Sequence, residues 1–226
     1  MEFLNQPIFG VGMTIIPYMI FVLLKQRVPM VNPFIFTTTL IILLLLTLDI
    51  PYDAYEEGGR IIEFMLAPAT IALGVPIYKE AQRIKDNLVP ILLGNTVGSL
   101  VGLVSAGLLV FILSGNQGLM FSMMPKSATT PISVEIVANL GGMPSLGATF
   151  TVLTGVFGSL FGPELLKKCG ISENESIGAA MGTSSHGIGT ARVVAQSEIQ
   201  GSISAFSMGM TGIITSIMAI PLYLVF

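Results

Sequence analysis

The chain has 226 residues, of which 10% are charged and 52% hydrophobic, with a net charge of -3. An average soluble domain carries about 25% charged residues, so this chain lacks the charge to solvate a surface of its own, and its hydrophobicity excludes disorder. One Cys, one His and a net negative charge exclude a disulfide framework, a His/Cys metal centre and a nucleic-acid partner; what remains is an integral membrane protein.

A helical span takes about 20 residues, and eight apolar stretches follow one another along the chain. The first runs from Ile8 to Leu24 and ends at Lys25 and Arg27. The second, Phe34 to Leu48, ends in an acidic loop with Asp49, Asp53, Glu56 and Glu57. The third, Ile61 to Tyr78, carries Pro68 and Pro76 as helix breaks and is followed by Lys79, Arg83 and Lys85. The fourth, Leu88 to Leu113, is glycine-rich. Leu119 to Leu140 is unlike a span, because it holds Pro125, Lys126, Pro131 and Glu135. Leu146 to Leu166 is the sixth and ends at Lys167 and Lys168. The seventh, Ser176 to Gln196, contains His186 and Arg192, with Gly187 and Gly189 as further breaks. Ser202 to Val225 is the last.

Lysines and arginines in connectors favour the cytoplasmic side. Lys25 and Arg27 then place the N-terminus outside, in a multi-pass protein of the cell membrane without a secretory signal. Lys167 and Lys168 fall inside only if Leu119 to Leu140 dips into the bilayer and returns. Irregular backbone at that depth is tolerated only within protein or beside water. The expected fold is therefore all-α, with about seven transmembrane helices and one re-entrant or broken segment. The chain reads as a single membrane domain, 1–226. Broken segments in corresponding positions predict an inverted repeat, with halves 1–115 and 116–226, of the kind found in alternating-access transporters.

Charge at membrane depth is costly and marks candidate sites. Lys126, with Ser127, Thr129, Thr130 and the break at Pro131, suits an anion. Glu135 lies on the same segment and is a proton-coupling candidate, or a structural partner of Lys126. In the seventh stretch Ser185 can hydrogen-bond a ligand, His186 can exchange a proton near neutrality, and Arg192 can hold a carboxylate by two bonds. Enzyme readings fail. Gly187-Ile188-Gly189 lacks the rest of a dinucleotide fingerprint, and Ser185 beside His186 is not a triad. No catalytic residue, metal or cofactor is expected.

Pro125-Lys126-Ser127-Ala128-Thr129-Thr130-Pro131-Ile132 and Gly182-Thr183-Ser184-Ser185-His186-Gly187-Ile188-Gly189-Thr190-Ala191-Arg192 resemble two signatures of the LrgB/CidB family. Leu66-Ala67-Pro68-Ala69-Thr70 with Pro76-Ile77-Tyr78 is similar to a third region of that family. The resemblance covers essentially the whole chain. It implies two functions. One is antiholin-like control of murein hydrolases and autolysis, together with a small LrgA/CidA-like membrane partner. The other is carriage of pyruvate, glycolate or glycerate, as in the related part of plastid glycolate/glycerate transporters. Either implies an oligomer, with copies of itself or with the partner, in a lipid bilayer. The intramembrane Lys126, His186 and Arg192 favour a proton-coupled carrier of small monocarboxylates over a regulator that acts through its loops.

Overall fold

A computed structural model describes residues 6–28 and 31–225. Among these residues all regular structure is helical. In chain order the helices are α1 (Pro7–Arg27), α2 (Pro33–Thr47), α3 (Tyr52–Phe64), α4 (Leu66–Ala72), α5 (Gly74–Lys79) and α6 (Ala81–Asp86). They continue with α7 (Leu88–Ser114), α8 (Gln117–Met123), α9 (Thr130–Asn139), α10 (Pro144–Lys168), α11 (Asn174–Val194) and α12 (Glu198–Val225). Five stretches are long and apolar enough to cross a membrane: Pro7–Arg27, Tyr52–Lys79, Leu88–Ser114, Pro144–Lys168 and Glu198–Pro221. The apolar α2 is shorter, at 15 residues. The chain is an all-α, multi-pass membrane protein. It divides into two compact units, Met1–Ala72 and Leu73–Phe226.

In the first unit α1 packs on α2 and α3. Asn32 caps α2, its Oδ1 accepting from the N–H groups of Phe34 at 3.0 Å and Ile35 at 3.3 Å. Two glycines let α1 and α3 touch backbone to backbone. A Cβ on Gly10 would run into the Tyr55 carbonyl, and one on Gly58 into the Pro7 carbonyl. Of the acidic residues expected in a loop, Asp49 stays in the turn and the other three are helical. Asp53, Glu56 and Glu57 lie in α3, and Glu56 pairs with Arg60 one turn on, at 3.1 Å. The helix starts earlier than hydropathy suggests because Pro51 ends the preceding turn and Asp53 suits a first turn.

The two prolines of the third apolar stretch explain its fragmentation. Proline has no N–H for the carbonyl four residues back and clashes with it. Counting back from Pro68 gives Phe64, where α3 ends; counting back from Pro76 gives Ala72, where α4 ends.

The second unit is built on two hairpins. The first consists of α8, a tip at 124–129, and α9. The α9 helix rises about 15 Å, half of the roughly 30 Å hydrocarbon core. The chain just past α9 reaches back to the last turn of α8: Met143 N–H donates to Ser122 Oγ at 2.8 Å. A Cβ on Gly147 would sit 2.8 Å from Val137. Leu119 to Leu140 therefore folds back on itself.

The seventh stretch also folds back, where the sequence suggested a span. His186 has φ 40° and ψ -136°, and the helix reverses there. A Cβ on Gly189 would lie 3.0 Å from the Met181 carbonyl oxygen. Residues eight apart in a straight helix are about 12 Å apart. Gly182 and Thr190, four residues either side of His186, both meet Ser204 of α12. Gly178 and Val194, eight either side, both reach the 200–203 turn of α12. The first hairpin opens at the N-terminal end of α10 and the second at its C-terminal end, so the two enter from opposite ends of that helix.

Small residues on three long helices seat both hairpins. On α10, Gly147 faces Val137, Gly155 faces the His186 ring, Gly158 faces Ser185 and Gly162 faces Met181. The spacings of eight, three and four keep these on one face. On α7, Gly107 faces Met124, Gly102 faces Ser127 and Gly98 faces Thr183. On α12, Gly201 faces Val194 and Gly212 faces Ile132.

Charges hold the mouth of the second hairpin. Lys79 pairs with Glu198 at 3.0 Å and Arg83 with Glu175 at 2.8 Å. The Arg83 hydrogen bond is the main cause that holds the Glu175 carboxyl below the usual carboxylate range. Stability from this pair is therefore present above the ordinary carboxylate value and lost as pH falls through the lowered one. Replacing Glu175 by Gln is expected to lower Tm slightly at pH 7, as for other exposed pairs. The difference should vanish well below about pH 4, where the carboxyl is protonated in both states. Thermal unfolding at both pH values checks this.

Candidate functional site

The two hairpin tips meet between α7 and α10. The first tip is fixed by turns: Lys126 N–H donates to Met123 O at 3.2 Å, and Ala128 N–H to Pro125 O at 2.9 Å. Thr129 is extended, with φ -68° and ψ 153°, and stands as N-cap of α9, with Pro131 in the first turn. The N–H groups and positive dipole end of α9 therefore point to this tip. Lys126 Nζ donates to Ser127 Oγ at 3.3 Å, and no carboxylate pairs with it among the described residues.

Lys126 lines two cavities. One, of about 510 Å³, lies along α7 and is lined by Asn95, Gly98, Gly102, Lys126, Ser127, Thr183 and Ser184 among others. The other, of about 600 Å³, runs along α10 and is lined by Phe150, Phe157, Phe161, Lys126, Ser184 and Ser185 among others. Lys126 and Ser184 are the residues shared by both linings. Neither lining contains an Asp or Glu. An ammonium without a carboxylate beside it, hydroxyls and a helix N-terminus are groups whose chemistry suits an anion.

The structure thus brings together Lys126, Ser127 and Ser185 of the residues singled out in the sequence. It leaves others apart. Thr129 and Thr130 serve the start of α9 and line neither cavity. Glu135 is exposed on α9 and lines a different cavity of about 620 Å³, with Asn139 and Ser216. Arg192 lies in the last turn of α11, near the mouth of its hairpin, and lines neither Lys126 cavity. His186 holds the second tip in place. Its Nε2–H donates to the Thr151 carbonyl at 2.8 Å, and its own carbonyl accepts from Thr190 Oγ1 at 2.8 Å. It is 4% exposed. Gly187 and Gly189 follow the reversal, and the close approach of Gly189 to Ser185 leaves no room for a side chain.

Asn95 escaped the sequence reading. It is fully buried in α7, and its Oδ1 accepts from Thr183 Oγ1 at 2.7 Å. The signal was present, since an amide in the middle of an apolar, glycine-rich helix is itself unusual at membrane depth.

Comparison with known proteins gives consistent matches. The profile described as the LrgB-like family matches residues 14–225. The chain is 35% identical over 210 residues to the uncharacterized protein YwbG of Bacillus subtilis, covering 92% of this chain and 93% of that one. It is 28% identical over 223 residues to the antiholin-like protein LrgB of Bacillus mycoides, covering 97% and 96%. No solved structure matches.

Proposed function

The chain belongs to the LrgB-like family, and we propose that it is a carrier of small monocarboxylates of the pyruvate, glycolate or glycerate class. One observation carries this reading. Lys126 stands, among the described residues, without a carboxylate partner and lines two cavities that residues of both hairpins share. Burying an unpaired ammonium costs several kcal/mol. A fold that only packed helices would not retain it, whereas a bound carboxylate repays the cost on each cycle.

The substrate carboxylate binds Lys126, with Ser127, Ser184 and Ser185 as hydrogen-bonding groups. The shared position of Lys126 lets it serve each cavity in turn as the hairpins move. Thr129 and Thr130 contribute through the N-terminus of α9. Arg192 acts at the mouth of the second hairpin, drawing anions toward it. His186 and Glu135 are the proton-coupling groups. A small LrgA/CidA-like protein assembles with the chain in the cell membrane, with the N-terminus outside.

Uptake of labelled pyruvate and glycolate into proteoliposomes tests the reading. We expect saturable uptake, accelerated by an inward proton gradient. Uptake no faster than in protein-free vesicles, with and without the small partner, would remove it.

Relatives named antiholin-like proteins favour a second reading, in which the chain regulates murein hydrolases without transport of its own. It expects autolysis control to survive Lys126→Ala and to fail when Asp53, Glu56 and Glu57 are neutralised. The transport reading expects the reverse.

A further inference from the structure

We propose that Asn95 is a recognition residue of the α7 cavity, donating through Nδ2 to a second oxygen of the bound acid while Lys126 holds the carboxylate. The proposal rests on the transport reading. Asn95 is 0% exposed, yet its Nδ2 has no hydrogen-bond partner among the described residues. A buried donor left unpaired is costly, so such groups are normally satisfied. Thr183 Oγ1 donates to Asn95 Oδ1 at 2.7 Å, which leaves Nδ2 as the unused donor.

The space for a partner lies beside it. Asn95, Lys126 and Ser127 line the same cavity of about 510 Å³. Gly94, which is exposed, lines the same cavity, and a Cβ there would meet nothing within 4 Å. On Gly98 a Cβ would lie 2.9 Å from Thr183, so the contact that orients the amide depends on that glycine.

The chemistry selects the ligand class. An amide N–H reads an acceptor, and the 2-oxo or 2-hydroxyl oxygen of a short acid is one. An acid of the same size without that oxygen, such as propionate, leaves Nδ2 unpaired. A site built to pair a buried polar group rejects the analogue that lacks the partner. Asn95 therefore separates 2-oxo and 2-hydroxy acids from plain carboxylates, a task Lys126 alone does not perform.

The test compares uptake of pyruvate, glycolate and propionate by wild type, Asn95→Ser, Asn95→Leu and Thr183→Val in proteoliposomes, with folding checked by size exclusion. Wild type is expected to prefer pyruvate and glycolate. The pyruvate-to-propionate ratio of KM-controlled uptake should fall about tenfold in both Asn95 variants, the scale of one lost buried hydrogen bond. In Thr183→Val, which frees the amide to rotate, it should fall less. A fall of all three acids by the same factor in both Asn95 variants makes the residue structural and overturns the proposal. If wild type takes up no acid, the transport reading fails by itself. Calorimetric titration of pyruvate into purified wild type and Asn95→Leu then decides the residue. Binding about tenfold tighter in wild type supports recognition, and equal or absent binding overturns it.

Discussion

Replacing Lys126 by Met is expected to reduce pyruvate and glycolate uptake by about a hundredfold or more while raising Tm. The two effects have one origin. Lys126 is half-buried without a carboxylate partner among the described residues, and its hydrogen bond to Ser127 is long, at 3.3 Å. Methionine matches its length and flexibility and carries no charge, so the folded state gains what burial of the ammonium cost. Losing a buried charge that binds an anion costs about 2–5 kcal/mol of binding, and each 1.4 kcal/mol is about tenfold. Rising stability with falling function is the pattern of a strained functional group. Lys126→Arg keeps the charge but exchanges a compact ammonium for a planar fork, so partial uptake should remain. Arg192→Ala should weaken uptake far less, about threefold on the scale of a screened, distant charge. Thermal unfolding and uptake measured on the same preparations check all three. If Lys126→Met lowers both Tm and uptake, the lysine is part of the packing and the anion-site assignment falls.

Much of this arrangement was legible in the sequence, and the reasons are specific. Hydropathy located α7, α10 and α12 because each is one long apolar helix. Pro125, Pro131 and the lysine pair at 167–168 revealed the first hairpin, since prolines announce broken backbone and basic residues announce a side. The second hairpin stayed hidden. Its reversal occurs at a histidine, not at Gly187 or Gly189. The stretch is long enough, at 21 residues, to read as one continuous span, and nothing local in the sequence fixes the sign of φ. The pairing of Gly182 with Thr190 across Ser204 is a tertiary fact, absent from any window of sequence. The site divided for the same reason. Arg192 follows His186 closely in sequence, but the reversal carries it back toward the mouth, whereas Asn95, some thirty residues before Lys126, joins the cavity through α7.

Substituting His186 tests that reversal. His186→Gly is expected to be more stable than His186→Ala, the opposite of the usual order inside a helix, where glycine costs about 1 kcal/mol more than alanine. At φ 40° and ψ -136° a residue with a Cβ is strained by about 1–3 kcal/mol, and glycine is not. Both variants lose the Nε2–H bond to Thr151 O and leave a hollow against Gly155, where a Cβ would otherwise sit 2.6 Å from the imidazole. Those losses, of about 1–3 kcal/mol for the unpaired carbonyl, are common to the pair and cancel in the comparison, which isolates the backbone term. Uptake should be low in both, because the tip is no longer fastened to α10 and Ser184 and Ser185 are no longer held at the Lys126 cavities. A third variant, Gly155→Ala in the wild-type background, pushes on the same ring from the α10 side and should lower Tm with the histidine still present. Equal stability of His186→Ala and His186→Gly would mean that the chain at 186 is not strained. The second hairpin would then be held by its packing on α7, α10 and α12 without strain at its tip.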